Sequence, residues 1–178
     1  MKRVFLLIDG SNFFFKFKEL RLGRYESFDF SKLIGRLLEK NKLVAARYYV
    51  GRVRQDGSEK ADKMVANQQR IFENLKKSGI TYVLGYLLKS DGKYHEKGVD
   101  VQIAVDMMEA AYEDLCDRII LISSDTDLAP AIAKAKSKGK IVEYVGFSHK
   151  PSVAMVSFCS ESTLLKKEDL EGMFIVKK

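Results

Sequence analysis

The sequence predicts an α/β fold in which a central, mostly parallel sheet of five to six strands is flanked by helices. Short apolar runs alternate along the chain with longer segments whose apolar residues recur every three to four positions. Strands that alternate with helices in this way pair in parallel and are covered on both faces. No repeat, low-complexity segment or linker interrupts the 178 residues, so we expect one domain over 1–178, with a core at about 4–145 and a C-terminal packing segment at 146–178.

The predicted strands are mostly continuous apolar runs, as expected for strands that are buried on both faces. The second run is also rich in aromatic and branched residues, which favour strands. In chain order the strands are predicted at 4–8, 43–50, within 80–88 as one or two short strands, at 119–122, at 141–145 and at 163–165. The residues Ser-Asp-Gly-Lys at 90–93 are typical of a turn.

The helices between these strands are predicted from capping residues and from apolar residues at helical spacing. Asp29 or Ser31 can cap the second helix, and Ser58 can cap the third. In chain order the helices are predicted at 13–22, from the cap at 29 or 31 to 41, at 59–77, at 97–116, at 128–138, in the stretch that ends at 160, and at 168–173.

The composition indicates a soluble protein with a polyanionic partner. The formal net charge of +7 favours nucleic acid as that partner. Cys116 and Cys159 match neither a zinc-site spacing nor a disulfide framework, so we expect a reducing compartment. The apolar run at 4–8 is too short for a signal peptide, and no stretch approaches the roughly 20 apolar residues of a membrane span. We therefore expect a cytoplasmic protein without a membrane partner.

Four aspartates are expected to lie at one edge of the sheet. Asp9 follows the first strand, and Asp125 and Asp127 follow the strand at 119–122. Asp100 lies in the first turn of the preceding helix. If those two strands are neighbours, the four carboxylates converge at their carboxyl ends, where open α/β sheets bind ligands. Mg²⁺ and similar cations bind such oxygens, and one ion, or two roughly 3.5–4 Å apart, can promote attack of water on a phosphodiester.

Each of these acids also has a simpler explanation when it is considered alone. Asp9 and Asp127 can cap the helices that follow them, and Asp100 can interact with a helix dipole. Unpaired carboxylates at close range repel one another, however, and a bound cation would relieve that repulsion. The matched positions of all four therefore favour a metal site.

Three motifs carry a resemblance to a known family. They are Ile-Asp-Gly-Ser-Asn at 8–12, Lys-Gly-Val-Asp at 97–100 followed by Asp106, and Ser-Ser-Asp-Thr-Asp-Leu at 123–128. In order and spacing they resemble the NYN domains of the LabA-like group (DUF88), over about 4–145 and more weakly toward Phe174. The resemblance implies a PIN-like, Rossmann-like fold and metal-dependent cleavage of RNA, with Mg²⁺ or Mn²⁺, in RNA processing or turnover.

The resemblance also implies roles for individual residues. By position, the metal ligands are Asp9, Asp100, Asp125 and Asp127. Asn12 would orient metal-bound water or substrate, and it completes the set of candidate catalytic residues. Ser124 stands where the family commonly has glycine and Leu128 where it commonly has phenylalanine, and neither change removes a ligand.

Residues around the acids are candidate substrate contacts. Arg52 and Arg54 follow the second strand at the same edge and can contact an RNA backbone, or form an ordinary solvated loop. Lys97 can hold a substrate phosphate or pair with an acid. Ser11 and Ser124, which adjoin the acids, are also candidate substrate contacts.

Other residues near the motifs have supporting or alternative roles. Asp106 lies about 240° around a helix from Asp100, so a supporting role is favoured over direct ligation. Ser123 either hydrogen-bonds the acids or simply ends its strand. Of the phenylalanines at 13, 14, 15 and 17, at least two should pack in the core, and one could stack against an unpaired base.

The expected function is endonucleolytic hydrolysis of single-stranded or structured RNA by a metal-dependent ribonuclease. The alternative is a non-catalytic RNA-binding or regulatory module on the same fold, which would bind RNA with steep salt dependence and form no product. A dehalogenase-like phosphatase needs an Asp-x-Asp pair after the first strand, and Ser11 stands at the second position. A receiver-like domain is also disfavoured, because the chain lacks the paired acids of such a domain before the end of the first strand. The sequence leaves self-association open.

Overall fold

A computed structural model of the protein describes residues 1–90 and 93–175, without the side chains of 87–90 and 93–96. Within these residues, the strands are β1 (Arg3–Asp9), β2 (Lys42–Gly51), β3 (Thr81–Ser90), β4 (Lys93–Lys97), β5 (Arg118–Ile122), β6 (Ile141–Phe147) and β7 (Glu161–Leu165). They form one sheet in the order β4-β3-β2-β1-β5-β6-β7. All neighbours pair in parallel except β4, which is antiparallel to β3 at the edge. The predicted α/β fold with a mostly parallel sheet is confirmed.

The helices cover both faces of this sheet. They are α1 (Gly10–Glu19), α2 (Phe30–Leu38), α3 (Glu59–Lys77), α4 (Val99–Tyr112), α5 (Ala129–Ser137), α6 (Val153–Phe158) and α7 (Lys167–Glu171). One core contains residues of α1, α2, α3 and α7, and the other contains residues of α4, α5 and α6. Among the described residues, no helix is both long enough and apolar enough to cross a membrane.

β1 shows why its sequence is a continuous apolar run. Successive side chains of a strand point to opposite faces, so a strand between two helical layers must be apolar at every position. Val4, Leu6 and Ile8 belong to one core, whereas Phe5 and Leu7 belong to the other. β1 therefore lies at the centre of the molecule, paired with β2 on one side and β5 on the other.

Two helix caps were predicted from the sequence. Of the two candidates for α2, Asp29 is the cap, because its carboxylate accepts from the backbone N–H groups of Ser31 and Lys32. Ser58 caps α3 as predicted, accepting from the N–H of Ala61 at 3.1 Å.

Three local predictions were wrong. Residues 90–93 were predicted as a turn and 97 as the start of a helix, but Lys93–Lys97 forms β4, whose polar sequence gives no strand signal and whose strand geometry depends on pairing with β3. The predicted turn includes Asp91 and Gly92, which lie outside the described residues. The helix predicted at 13–22 begins at Gly10 because Asp9 caps it, and α5 begins at Ala129 after a 3₁₀ turn at Thr126–Leu128.

Candidate active site at the carboxyl edge of the sheet

The pairing of β1 with β5 places two of the predicted motifs side by side. Ile8 is in register with Ile122, so the residues that follow the two strands meet at the same edge. There the Ser123 hydroxyl donates to Asp9 Oδ2 at 2.9 Å, and the Asp125 backbone N–H donates to the Ser123 oxygen at 3.1 Å. Ser123, which the sequence left open between two roles, thus connects the two motifs.

Asp9 is the most deeply buried of the four acids, at 5% exposure. Its Oδ1 accepts from the backbone N–H of Asn12 at 2.9 Å, so it also caps α1. Burial raises the pKa of Asp9, the hydrogen bonds from Asn12 and Ser123 oppose that shift, and the charges of Asp100 and Asp125 add to it. Asp9 is therefore both a helix cap and a carboxylate facing other carboxylates.

Asp125 and Asp127 differ in their local roles. Asp125 is half-buried and caps the 3₁₀ turn, because its Oδ1 accepts from the Asp127 backbone N–H at 2.9 Å. Asp127 is exposed, and no side-chain hydrogen bond caps α5. The simpler explanation of Asp127 as a helix cap therefore does not apply, since the cap in this loop is Asp125.

Asp100 is brought to the edge by a sharp entry into α4. Gly98 precedes the helix with φ at +85°, a left-handed conformation that favours glycine. Partial burial raises the pKa of Asp100, and the charges of Asp125 and Asp127 raise it further. All four acids are thus electrostatic neighbours, and no salt bridge within the described residues includes any of them.

The chemistry of this donor set fits a hard divalent cation, because the set consists of carboxylates whose mutual repulsion a cation would remove. The side chains as placed are less compact than a formed metal site. Within residues 1–90 and 93–175, no group of three or more His, Cys, Asp or Glu is arranged to hold a metal ion.

The structure places the predicted substrate contacts around this edge in different ways. Ser11 is half-buried at the start of α1, and Lys97 is exposed at the end of β4. Arg52 and Arg54 are exposed in the loop that follows β2. The Ser124 hydroxyl forms a 3.1 Å hydrogen bond with the Tyr144 hydroxyl, so it points toward β6.

Asp106 is not among the acids at the edge. It is 3% exposed and its carboxylate is surrounded by donors: Tyr49 at 2.5 Å, Arg47 at 2.7 Å and Gln102 at 2.8 Å. These contacts join α4 to β2, which agrees with the supporting role favoured by the helical angle. They give Asp106 a structural reason to be present without ligation of a metal.

Gly10 and Gly98 are site residues to which the sequence gave no role. A Cβ on Gly10 would lie 2.3 Å from the ring of Tyr48, and one on Gly98 would lie 2.6 Å from the ring of Tyr86. The glycines directly after Asp9 and directly before α4 thus allow close aromatic packing beside the acids. The presence of both glycines in the motifs could have indicated close packing at these positions. The rings involved, Tyr48 on β2 and Tyr86 on β3, could not be identified from the motifs themselves.

A parallel sheet with carboxylates after its two central strands is consistent with a PIN-like α/β protein. The chain belongs to the NYN domain family, whose pattern matches residues 3–166. This is a PIN-like nuclease family.

Two similar proteins are described as uncharacterized or of unknown function. The uncharacterized protein MJ0482 of Methanocaldococcus jannaschii is 31% identical over 144 residues, which are 81% of this chain and 47% of that protein. The chain therefore spans about half the length of this relative. A protein of unknown function from Vibrio parahaemolyticus, VPA0982, has a crystal structure that is similar with a TM-score of 0.72 and 22% identity, over 95% of each chain. That similarity supports the fold alone.

Proposed function

We propose that this protein is a metal-dependent endoribonuclease of the LabA-like (DUF88) group within the NYN family. The observation that carries the proposal is the hydrogen-bonded connection from Asp9 through Ser123 to Asp125, with Asp100 and Asp127 as charged neighbours. A helix cap or a dipole partner needs a single acid, whereas a hard divalent cation takes several oxygen ligands, which the ends of two neighbouring strands can supply here.

The residues present have distinct tasks in this proposal. Asp9, Asp100, Asp125 and Asp127 would hold Mg²⁺ or Mn²⁺, and the bound ion would supply an activated water and stabilise the leaving oxygen. Ser123 fixes the orientation of the Asp9 carboxylate. Asn12 would orient water or substrate next to it.

The surroundings of the acids would hold RNA. Arg52, Arg54 and Lys97 are exposed cations that would contact phosphates, and Ser11 and Ser124 would make polar contacts beside the acids. Both cysteines are free, and burial raises the pKa of each thiol to about 11, which suits the reducing cytoplasm we propose as the location. We further propose that 1–178 forms a single domain.

The test is cleavage of end-labelled RNA in the presence of Mn²⁺ by the wild type and by Asp9→Asn and Asp125→Asn. In Asp125→Asn the amide oxygen keeps the hydrogen bond from the Asp127 N–H. In Asp9→Asn the amide oxygen keeps the bond from the Asn12 N–H, and the amide NH₂ can donate to the Ser123 hydroxyl in place of the bond that Ser123 donates in the wild type. Both variants should therefore fold, and because they lose the charge they should lose at least tenfold in rate, on the order expected for loss of one essential catalytic group. Asp114→Asn is the matched control, since Asp114 is exposed and contacts Arg3 and Lys140 at the opposite edge. Equal rates in all four proteins would reject the assigned site.

A second candidate function is RNA binding without cleavage, which the exposed cations Arg52 and Lys97 would serve without any metal. This candidate predicts salt-dependent RNA binding and no Mn²⁺-dependent product. Thermal unfolding separates the two, because a metal that binds the native state raises Tm with its concentration in the wild type and not in Asp9→Asn.

A further inference from the structure

An open cavity of about 610 Å³ begins at the start of α1, next to Asp9 in the chain. It lies between α1, the 3₁₀ turn at Tyr25–Ser27, the end of β2 and α3, and its lining includes Gly10 and Ser11, the two residues that follow Asp9. Pockets for small ligands commonly have volumes of about 300–1,000 Å³. The cavity is therefore large enough for a planar group on a strand that also reaches the acids.

The walls of this cavity are apolar and partly aromatic. Phe14 packs edge-on against Tyr25, with ring centroids 5.2 Å apart. Phe15 and Met64 also line the cavity, yet they are 63% and 48% exposed. Large apolar side chains on α1 and on α3 thus face the same open space, an arrangement that marks a binding surface more than scattered exposed residues do.

The rim of the cavity is basic. Lys18, Arg21 and Arg24 line it from α1 and the segment that follows α1. On the opposite side, Gln68 donates to the Gly51 carbonyl at 2.8 Å and accepts from the backbone N–H of Val53 at 3.0 Å. Those two bonds anchor the loop segment that carries Arg52. Arg24 is paired with Glu26 of the same lining at 2.5 Å, so Lys18 and Arg21 are the cations that the cavity offers, and exposed Arg52 lies in the adjoining loop. An apolar cavity with cations at its border complements a ligand with a flat apolar part and an anionic backbone.

We propose that this cavity is a base pocket, which accommodates one unpaired base of a single nucleic acid strand whose neighbouring phosphodiester lies against the acids. That this strand is RNA rests on the proposed function. Every base has an apolar face that can stack on an aromatic side chain, and phosphates on either side of it would meet the basic rim. A duplex keeps its bases stacked and paired, so the base pocket selects single-stranded segments.

The test measures binding without cleavage, in EDTA, by the fluorescence anisotropy of short labelled RNAs. One set of single strands has an abasic nucleotide moved stepwise along the sequence. For the wild type, the abasic residue should weaken binding about five- to tenfold at one or two positions and little elsewhere, which is the lower part of the range for loss of one stacked base. Duplex RNA of the same sequence should bind more weakly than the intact single strand.

Phe15→Ala and Met64→Ala are the informative variants because both side chains are exposed and their removal leaves the core intact. Each should bind intact RNA severalfold more weakly and should show a smaller additional loss at the abasic position. Val105→Ala is the matched control, since Val105 is an apolar α4 residue, 52% exposed, outside the cavity lining. It should behave as the wild type.

The possible results separate this proposal from the proposed function. An abasic penalty that Phe15→Ala removes, together with no cleavage in Mn²⁺, supports the base pocket and rejects the ribonuclease. Cleavage by the wild type with an abasic penalty that is uniform, or unchanged in Phe15→Ala, rejects the base pocket alone. Failure to bind any RNA, or equal affinity for duplex and single strand, also overturns the base pocket, and a cavity that takes only an apolar peptide or small molecule would give that result.

Discussion

Replacing Asp106 by alanine tests whether this acid stabilises the fold or binds metal. Its Oδ2 accepts from the Tyr49 hydroxyl at 2.5 Å and faces Arg47 at 2.7 Å, and its Oδ1 accepts from Gln102 at 2.8 Å. Burial, and then the hydrogen bond to Asp106, raise the pKa of Tyr49, so the phenol stays protonated as a donor. The variant removes the acceptor for all three groups.

The size of the effect follows from the surroundings of each donor. Tyr49 is fully buried, and leaving a buried hydroxyl without an acceptor costs about 1–3 kcal/mol. Removing one partner of a buried ion pair costs about 3–5 kcal/mol, but Arg47 is 30% exposed and keeps Glu109 at 3.6 Å, so the lower end applies. The lower ends of the two costs together give an expected loss of about 4 kcal/mol, or roughly 8–16 °C in Tm for a chain of this size.

Urea unfolding at 25 °C measures this loss, and a double-mutant cycle assigns it. In the Asp106→Ala background, Tyr49→Phe should recover about 1–3 kcal/mol, because it removes the hydroxyl that has lost its acceptor. In thermal unfolding, Mn²⁺ should still raise the Tm of Asp106→Ala, because the metal ligands are intact in the folded variant. A loss of less than about 1 kcal/mol combined with no Mn²⁺ effect would refute the reasoning and make Asp106 a ligand.

Three further predictions concern positions away from that network. Gly98→Ala should lower the free energy of unfolding by about 1–2 kcal/mol in urea, because alanine is strained at a φ of +85°, whereas an unchanged midpoint would contradict that conformation. Phe13→Ala, at a fully buried ring that contacts five other aromatic rings, should cost about 3–5 kcal/mol by the same measurement. Arg3 lowers the pKa of Asp117 from 3.8 to about 2, so the stability that Asp117 contributes is complete above about pH 4 and is lost as the pH falls toward 2. Asp117→Asn should therefore be less stable than the wild type at neutral pH and equally stable near pH 2 in thermal unfolding, and a constant difference would refute the linkage.

The parts of the fold that were predictable are those whose pattern is local. Residues 4–8 are apolar at every position, and a run this short is typical of a strand between two layers. The caps at Asp29 and Ser58 are read from single residues. β4 has no such local pattern: Lys93–Lys97 is polar and becomes a strand through its pairing with β3. Prediction therefore failed where the conformation of a segment is set by hydrogen bonds to another strand and not by the segment's own residues.

The same distinction applies to the candidate site. Asp9, Asp125 and Asp127 were found because each lies just past an apolar run, and Asp100 because it opens a helix. The role of Ser123 was left open since a hydroxyl at the end of a strand can bond many groups, and only the β1–β5 register selects the Asp9 carboxylate. The positions of the acids relative to strands and helices can be predicted from the local sequence. Their hydrogen-bond partners depend on which strands are neighbours in the sheet.

The position of the cavity wall depends on the rotation of α1 about its axis and on the residue at which α1 starts. Only some of the residues that set these two properties can be recognised in the sequence. Phe13 and Phe17, four residues apart, share one face of the helix and are buried in the core, which fixes the rotation of α1 about its axis. Asp9 fixes where the helix starts by capping it. With rotation and origin both set, Phe14 lies about 100° around the helix from Phe13, beside the buried face, and Phe15 lies about 200° around it, on the outward side, where it is 63% exposed. Both residues line the cavity. One helix thus couples the position of Asp9, the most buried of the four candidate metal ligands, to that of the aromatic wall, and a change in its register would displace both together.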